Sequence, residues 1–547
     1  MNRTPADPRT SGDDARPPPR PPGLPIGQRS IRYHRPRAPF CGIGYCTNCL
    51  VRTEARLNVR ACREGYPVDG VRPTSHAWPS PRWDLFAVFD GLFPHGIDTL
   101  RGFRRPASLT RAYQRVVRRL AGYDTPPAAT ARALAPPTSR RACEVLVIGQ
   151  GTAGRAVADE LRRRGVDPVM TVDRDGRRSE AAGSPDLGRA TAVFLPPPDP
   201  AQPHPLRCYV ARDAGGLVEI ASRRVVLATG GYDASLLFAG NDRPGVVTAD
   251  GAVSLASAGF SPFSRAILFG NGPRAREILD RFPREIAAIV APNDIGPDLV
   301  AIAADRRIPL YPRSLLVRAD GRRGVRRVAL RDRGGGPLTT VDADGVVLAH
   351  RRIPHAQLFF QCGARMRWDP RPGAYRPVTD PAGATTVPGV YAVGFARESA
   401  VPSDAERGAR GTAEAIAGGA PPPGPEPSAP AEPLDPPHPL LGYYRELLAE
   451  LGGREKWIAC PCEDVLLSEI VDANERGYRG IEVVKRYTGL GTGLCQGRYC
   501  LPDALLILSI LEGRPPSQVG YITQRPPVVP TRLADLAGIP GPEEGPS

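Results

Sequence analysis

The chain has 547 residues and 41% hydrophobic content, too long for one ordinary domain and apolar enough to bury several cores. Its formal net charge of +15 would suit a nucleic-acid binder, but Lys456 and Lys485 are the only lysines, and the arginines are scattered without interleaved stacking aromatics, which excludes a nucleic-acid patch. No apolar leader follows a basic start and no stretch of about 18 uncharged apolar residues occurs, so neither a secretory signal nor a membrane span is expected, and eleven cysteines are expected in a reducing cytoplasm.

Residues 1–27 carry Pro, Arg, Asp and Gly without hydrophobic periodicity, the pattern of a disordered leader. The segment 28–75 holds the first cysteine group, Cys41-Gly-Ile-Gly-Tyr-Cys46-Thr-Asn-Cys49 with Cys62 beyond, written C-x4-C-x2-C-x12-C. The spacings of the first three cysteines are those of plant-type ferredoxins, so a 2Fe–2S centre is expected. Three thiolates from one loop must wrap a small anionic cluster, with Gly42 and Gly44 letting backbone N–H groups turn inward and Cys62 returning to close the site. Structural zinc is the alternative, although four-thiolate zinc sites usually pair two C-x2-C knuckles.

A connector, expected to be packed, covers 76–140 and includes the aromatic stretch from Trp78 onward. The core, 141–418, is expected to alternate strands and helices. A strand from Cys143 runs into Gly149-Gln-Gly151-Thr-Ala-Gly154, a helix follows, and a second strand ends at Asp173. This is a complete βαβ dinucleotide unit: Gly149 makes the turn, Gly151 admits the pyrophosphate, Gly154 allows close packing, and Asp173 is placed for a ribose hydroxyl pair. A glycine-rich turn that has lost its ligand is the alternative.

Residues 419–440 form a proline-rich spacer, and 538–547 a frayed tail. Between them, 441–537 is a helical domain with the second cysteine group, Cys460-Pro-Cys462 and Cys495-Gln-Gly-Arg-Tyr-Cys500 separated by 32 residues. Ser468 is expected to cap one helix and Gly477 to end it, a second helix to cover roughly 481–487, and an apolar helix to start near Cys500. A helix N-terminus beside thiolates sets free N–H groups against an anionic cluster. Zinc is again the alternative.

The paired C-x-C and C-x4-C motif resembles that of bacterioferritin-associated ferredoxins, whose helical fold holds a 2Fe–2S centre. Arg224-Val-Val-Leu-Ala-Thr229-Gly230-Gly resembles the ATG strand of two-dinucleotide flavoproteins, Gly270-Asn-Gly272-Pro-Arg-Ala275 their second Rossmann turn, and Thr386-Val-Pro-Gly-Val-Tyr-Ala-Val-Gly394 their closing flavin motif. The resemblance implies cofactor contacts from Thr229, Gly230 and Gly394. Phe395 stands where the motif has Asp, and Asn293 near the expected second acidic residue. An adenine dinucleotide, FAD or NAD, or an adenine nucleotide is therefore expected, with its isoalloxazine end weakened by Phe395.

Arg29-Ser-Ile-Arg-Tyr-His-Arg-Pro-Arg37, the stretch from Trp78 to Asp90, and Phe238-Ala-Gly-Asn-Asp-Arg-Pro-Gly245 together resemble the α subunit of heterotetrameric sarcosine oxidase and the large subunits of opine oxidase, hydrogen cyanide synthase and dye-linked proline dehydrogenase. The implied architecture is an α/β, two-dinucleotide-binding (Rossmann-like) flavoprotein core flanked by a small ferredoxin-like 2Fe–2S segment and a small helical 2Fe–2S domain. The implied role is that of an electron-transfer oxidoreductase subunit, relaying electrons from a partner flavoprotein of the glycine/sarcosine-oxidase type to an acceptor. A non-enzymatic iron–sulfur scaffold and a stand-alone NAD(P)-dependent reductase are the alternatives. The folate-binding tail of sarcosine oxidase α is missing from the pattern. A ferredoxin β-grasp has a hairpin and helix before its first cysteine, so the short lead to Cys41 implies a trimmed fold or a start further upstream. No acid–base pair or nucleophile with its base is evident; His34 lies in a structural-looking motif, and each histidine is expected to be non-catalytic unless the fold gathers several.

Overall fold

The computed structural model describes residues 28–54, 56–64, 72–74, 76–93, 138–175, 186–397, 401–419, 438–450 and 456–537. The expected leader and tail, residues 94–137 of the connector, and 420–437 of the spacer lie outside the described residues.

The core begins with β1 (Ser139–Ile148), α1 (Thr152–Arg163) and β2 (Val169–Val172), the expected βαβ unit. β1 starts ahead of Cys143 because Ser139–Ala142 pair in register with Val218–Ala221. Next come β3 (Ala190–Phe194), β4 (Leu206–Arg212) and β5 (Leu217–Leu227), completing the order β3-β4-β5-β1-β2. β1 runs parallel to both β2 and β5. Val145, Leu146, Val147 and Ile148 are all buried, as parallel strands covered on both faces require.

The second unit contains β6 (Val246–Thr248), α2 (Ala249–Ser257), β7 (Ala266–Phe269), α3 (Pro273–Arg281), β8 (Ile286–Val290), α4 (Pro297–Arg306) and β9 (Leu310–Tyr311). An antiparallel meander of β10 (Ser314–Asp320), β11 (Arg327–Asp332) and β12 (Thr339–Asp342) leads to β13 (Gly345–Leu348), giving the parallel order β6-β13-β7-β8-β9. β14 (Val390–Ala392) then returns beside β5, and α5 (Pro402–Ala417) covers α1.

Two smaller parts clasp this core. At the N-terminal side, Leu50–Arg52 pairs with both Val59–Arg60 and Arg72–Pro73, and Cys62 sits on the short helix Ala61–Glu64. The C-terminal part comprises α6 (Pro439–Ala449), α7 (Leu467–Glu475), α8 (Ile481–Thr488) and α9 (Leu501–Glu512). Residues 501–509 are all buried, so α9 is a central helix. Ser468 lies inside α7, not at its cap: the Glu469 carboxylate accepts the Leu466 N–H at 2.8 Å, a longer side chain reaching back where Ser468 cannot. Gly477 follows α7 as expected.

The described connector is packed only in part. The Asp84 carboxylate is buried against His34 Nδ1 at 2.6 Å, whereas Trp78 and Trp83 are exposed. Among the described residues no helix is long and apolar enough to cross a membrane.

Candidate cofactor and iron–sulfur sites

Each cysteine group closes into a set of thiols in mutual contact. In the first, Cys41 and Cys49 each touch both Cys46 and Cys62, with Cys49 Sγ 3.5 Å from Cys62 Sγ. Burial pushes the Cys41 thiol up, but the Cys46 and Cys62 side chains and the N–H groups of Cys46 and Ile43 outweigh it and hold Cys41 well below its ordinary value. The Cys46 N–H points at Cys41 Sγ from 3.4 Å. Gly42 has φ of +63°, and a Cβ there would come within 2.6 Å of Ser254, so the loop lies flat on α2 only because that residue is glycine.

The second group forms two pairs, Cys460 with Cys500 and Cys462 with Cys495. Contact with the Cys462 thiol, opposed by burial and aided by the Tyr499 and Gly497 N–H groups and the Arg498 guanidinium, brings Cys495 down to about 6. Among the described residues no three His, Cys, Asp or Glu side chains converge on a point suited to a single ion. Eight buried or half-buried thiols, partnered by one another and by inward N–H groups, are the donor chemistry a binuclear thiolate-ligated cluster takes. The remaining cysteines, Cys143, Cys208 and Cys362, are buried in the core away from both groups, where burial raises their thiols and leaves them inert.

Between these groups lies a cavity of about 250 Å³. Gly149, Gly151, Asp173, Thr229 and Gly230, all expected from the sequence, line it at the ends of β1, β2 and β5. Gly154 sits one turn into α1, where a Cβ would fall 1.8 Å from the Gly149 carbonyl, so it serves packing. Asp173 accepts the Gln150 and Asp175 N–H groups at 2.6 Å each, which fixes its carboxylate at the cavity edge. Gly394 is not among the lining residues; it packs on Ala153. Phe395 is likewise outside the lining: its ring lies against Gly231, which does line the cavity, with the Arg376 guanidinium 4.7 Å above it.

The far wall comes from both cysteine loops. Ile43 and Tyr45 project from the first and Arg498 from the second. The Tyr45 ring is sandwiched by the Arg174 and Arg498 guanidinium groups at 4.3 and 4.2 Å, with the His355 ring 5.0 Å away. Arg174 Nη1 and Arg498 Nε are buried without hydrogen-bond partners among the described residues, a donor set that suits an anion. Burial and the Arg498, Arg174 and Arg352 charges hold His355 well below its ordinary value, and hence neutral. None of these four side chains is singled out by the sequence; only the positions of Tyr45 and Arg498, each inside a C-x4-C spacing, could have suggested them.

The second Rossmann turn is engaged internally. Asn271 Oδ1 accepts the Gly272 and Gly296 N–H groups at 3.0 Å each, and Arg274 turns back onto Asp233 at 2.8 Å and Asp250 at 2.7 Å. Asn293 meets Arg333 at 3.5 Å.

Residues 23–70 match the family model of a 2Fe-2S iron-sulfur cluster binding domain, and residues 454–539 that of the sarcosine oxidase A3 domain. An opine oxidase subunit of Agrobacterium tumefaciens (strain Ach5) is 26% identical over 474 residues, 73% of this chain and 92% of that protein. The alpha subunit of sarcosine oxidase from Rhizobium meliloti (strain 1021) is 26% identical over 93% of this chain and 54% of its own length. The chain is a homologue of these oxidase subunits. It spans about half the length of the sarcosine oxidase polypeptide. The L-proline dehydrogenase of P. horikoshii has the same fold, with a TM-score of 0.54 at 21% identity over 73% of this chain and 80% of that one. The fold is thus the α/β, two-dinucleotide-binding architecture of flavoproteins, with a 2Fe–2S domain at its N-terminal side.

Two further sequence motifs meet in one buried ion-pair network. Arg35 and Arg37, from the Arg29–Arg37 motif, hold Asp242 of the Phe238–Gly245 motif at 2.8 and 2.6 Å, and Arg37 also holds Asp464, between Cys462 and α7, at 2.5 Å. These ion pairs are therefore the rivets that fix both cysteine loops to the core.

Proposed function

We propose that this oxidoreductase subunit relays electrons from a partner flavoprotein, which oxidises an amino acid or secondary amine, to an external acceptor. The single observation that carries the reading is the shared cavity wall: one nucleotide-binding cleft is lined by Ile43 and Tyr45 from the first cysteine loop and Arg498 from the second. Cys41, Cys46, Cys49 and Cys62 would hold one 2Fe–2S centre, and Cys460, Cys462, Cys495 and Cys500 another. Such centres take up and release one electron at a time. Gly149, Gly151, Asp173, Thr229 and Gly230 would hold an adenine nucleotide moiety, with its phosphates at the N-terminus of α1 and the Arg174 and Arg498 guanidinium groups. The opine and sarcosine oxidase homologues are named as subunits, which favours a partner that carries the substrate site. A nicotinamide-dependent reductase is disfavoured by the second Rossmann turn, whose loop is tied by Asn271 and whose Arg274 is spent on Asp233 and Asp250. All eleven cysteines are free, in keeping with a reducing compartment.

The test is iron content. Anaerobically purified protein should carry about four irons per chain, and Cys46→Ser or Cys495→Ser should each remove about half the iron together with one paramagnetic resonance signal. Stoichiometric zinc after iron-replete expression would refute the reading for that site.

A further inference from the structure

Within the connector, Leu85–Ala87 make a single 3-10 turn that runs into a short helix, Val88–Leu92. One side of this segment faces inward, where Phe86 and Phe89 set their rings against the buried His34 ring at 5.4 and 6.3 Å. The other side carries Leu85, Val88 and Leu92, spaced i, i+3 and i+7, and these are 62, 56 and 62% exposed. Trp83 and Trp78, exposed to a similar degree, lengthen the strip. A lone exposed apolar side chain is ordinary on a protein surface, but five large ones between Trp78 and Leu92 form the kind of patch that marks a contact site.

A cavity of about 430 Å³ adjoins the strip and shares Trp83 and Val88 with it. Its carboxylates are already engaged, Asp84 by His34 at 2.6 Å, and Asp90 by Arg35 at 3.1 Å and Lys456 at 3.0 Å. Arg82, Arg322 and Arg323 also line it, and all three are exposed and without an ion-pair partner among the described residues. The Arg323 guanidinium lies 4.6 Å over the Trp83 ring, which joins the charged edge to the apolar strip. The segment is also held firmly. His34 stands shortly before Cys41 and Lys456 shortly before Cys460, so their pairs with Asp84 and Asp90 tie the strip to the stretches that enter both cysteine groups.

An occupant of this face must bring apolar surface for the strip and carboxylates for the arginines. Residues 94–137, which follow the strip directly, hold eight arginines against Asp98 and Asp124, so their charge has the wrong sign. A second copy of the chain, with net charge +15, is repelled in the same way. We infer that this face docks the partner flavoprotein, through an apolar patch of the partner that is ringed by Asp and Glu. The inference rests on the reading of the chain as a relay subunit. Trp and Arg are the side chains that carry most of the energy at protein interfaces, and opposite charge speeds the encounter. A lipid surface also accepts Trp and Arg, but relatives named as oxidase subunits favour a protein.

The test puts a photo-cross-linker on the strip. The full chain carrying Val88→p-benzoylphenylalanine is irradiated in extract of its native host, and mass spectrometry identifies what is attached. A peptide of a flavin-bearing polypeptide, with Asp and Glu around the attachment point, is the expected result. Attachment to a second copy, to residues 94–137 or to lipid, or no attachment, overturns the docking face. Independently, the double variants Arg322→Glu with Arg323→Glu and Trp83→Ser with Leu85→Ser should each cut the flavoprotein recovered on the tagged chain by about tenfold or more, with iron content unchanged. The charge-reversed variant should also lose the salt sensitivity of wild-type binding. Equal recovery by the variants refutes the docking face while leaving the relay reading intact. If the wild-type chain recovers no flavoprotein that reduces a dye with an amine or amino acid, the relay reading itself falls.

Discussion

Arg37 shows how much a single side chain can carry. It is 1% exposed and bonded to Asp242 and Asp464, each of them buried, so it joins the N-terminal segment, the core and the C-terminal part. Arg37→Ala would leave two carboxylates without their common cation, and breaking a buried pair typically costs about 3–5 kcal/mol. Thermal denaturation should show a loss of that order, and a loss below about 1 kcal/mol would mean the network is dispensable. Asp233 behaves in the opposite sense from an ordinary paired carboxylate. Burial first, then Asp250, raise it to about 6, despite Arg274 and Arg352. A carboxyl raised on folding holds its proton more tightly in the folded state, so its stabilising effect is full below the unfolded value of about 4 and is lost as pH rises through about 6. The melting temperature of Asp233→Asn relative to wild type should therefore rise between about pH 4 and about pH 7, as read by parallel thermal melts. A constant difference across that window would mean Asp233 does not titrate there.

At the scale of elements, the first helix and the strand before it are held at a separation only glycine allows. The Cβ of Gly154→Ala would fall 1.8 Å from the Gly149 carbonyl, so α1 must move away from the turn that lines the cavity. Overpacking of this kind typically costs about 1–3 kcal/mol. Calorimetry with ADP should show binding weakened by about tenfold or more, together with a lower melting temperature; unchanged ADP affinity would place the nucleotide elsewhere. α9 offers a contrasting device. It begins beside Cys500, and Asp503 in its first turn is buried against Arg351, with the Tyr444 hydroxyl donating to it at 2.7 Å. The helix that carries the last cysteine is thus anchored by α6 and the core together.

For the molecule as a whole, one continuous apolar core includes Phe40 and Cys41 from the first loop, Ile267 and Val346 from the second sheet, and Tyr443, Cys460 and Leu506 from the C-terminal part. The C-terminal part therefore lacks a core of its own, and residues 438–547 expressed alone should be unfolded by circular dichroism and should not retain iron. A folded, iron-bearing fragment would contradict the shared core. The isolated full chain should likewise fail to oxidise sarcosine, proline or opines in a dye-linked assay, since its relatives are named as oxidase subunits and the one histidine lining the cleft, His355, is held neutral among arginines. Robust turnover by the homogeneous chain would overturn the relay assignment.

The amino-acid sequence by itself determined the pieces whose geometry is set within a few residues. Four thiols spaced C-x4-C-x2-C-x12-C close because a short glycine-bearing loop leaves the first three few other positions, and the β1–α1–β2 unit follows from a buried strand run, three glycines and Asp173. A short-range rule failed at α7, where Ser468 was the expected cap and the longer Glu469 side chain took the role. What only the tertiary structure decided is how those pieces face one another. Tyr45, Arg174, His355 and Arg498 meet at one cleft although they belong to four distant stretches of chain, and the Tyr499 ring of the second cysteine loop packs edge-on against Phe40, next to Cys41 of the first. Spacing constrains neighbours along the chain through fixed backbone geometry. Contacts between remote segments depend instead on the shapes of buried surfaces and on where buried charges such as Arg37 find partners, and no local pattern encodes either.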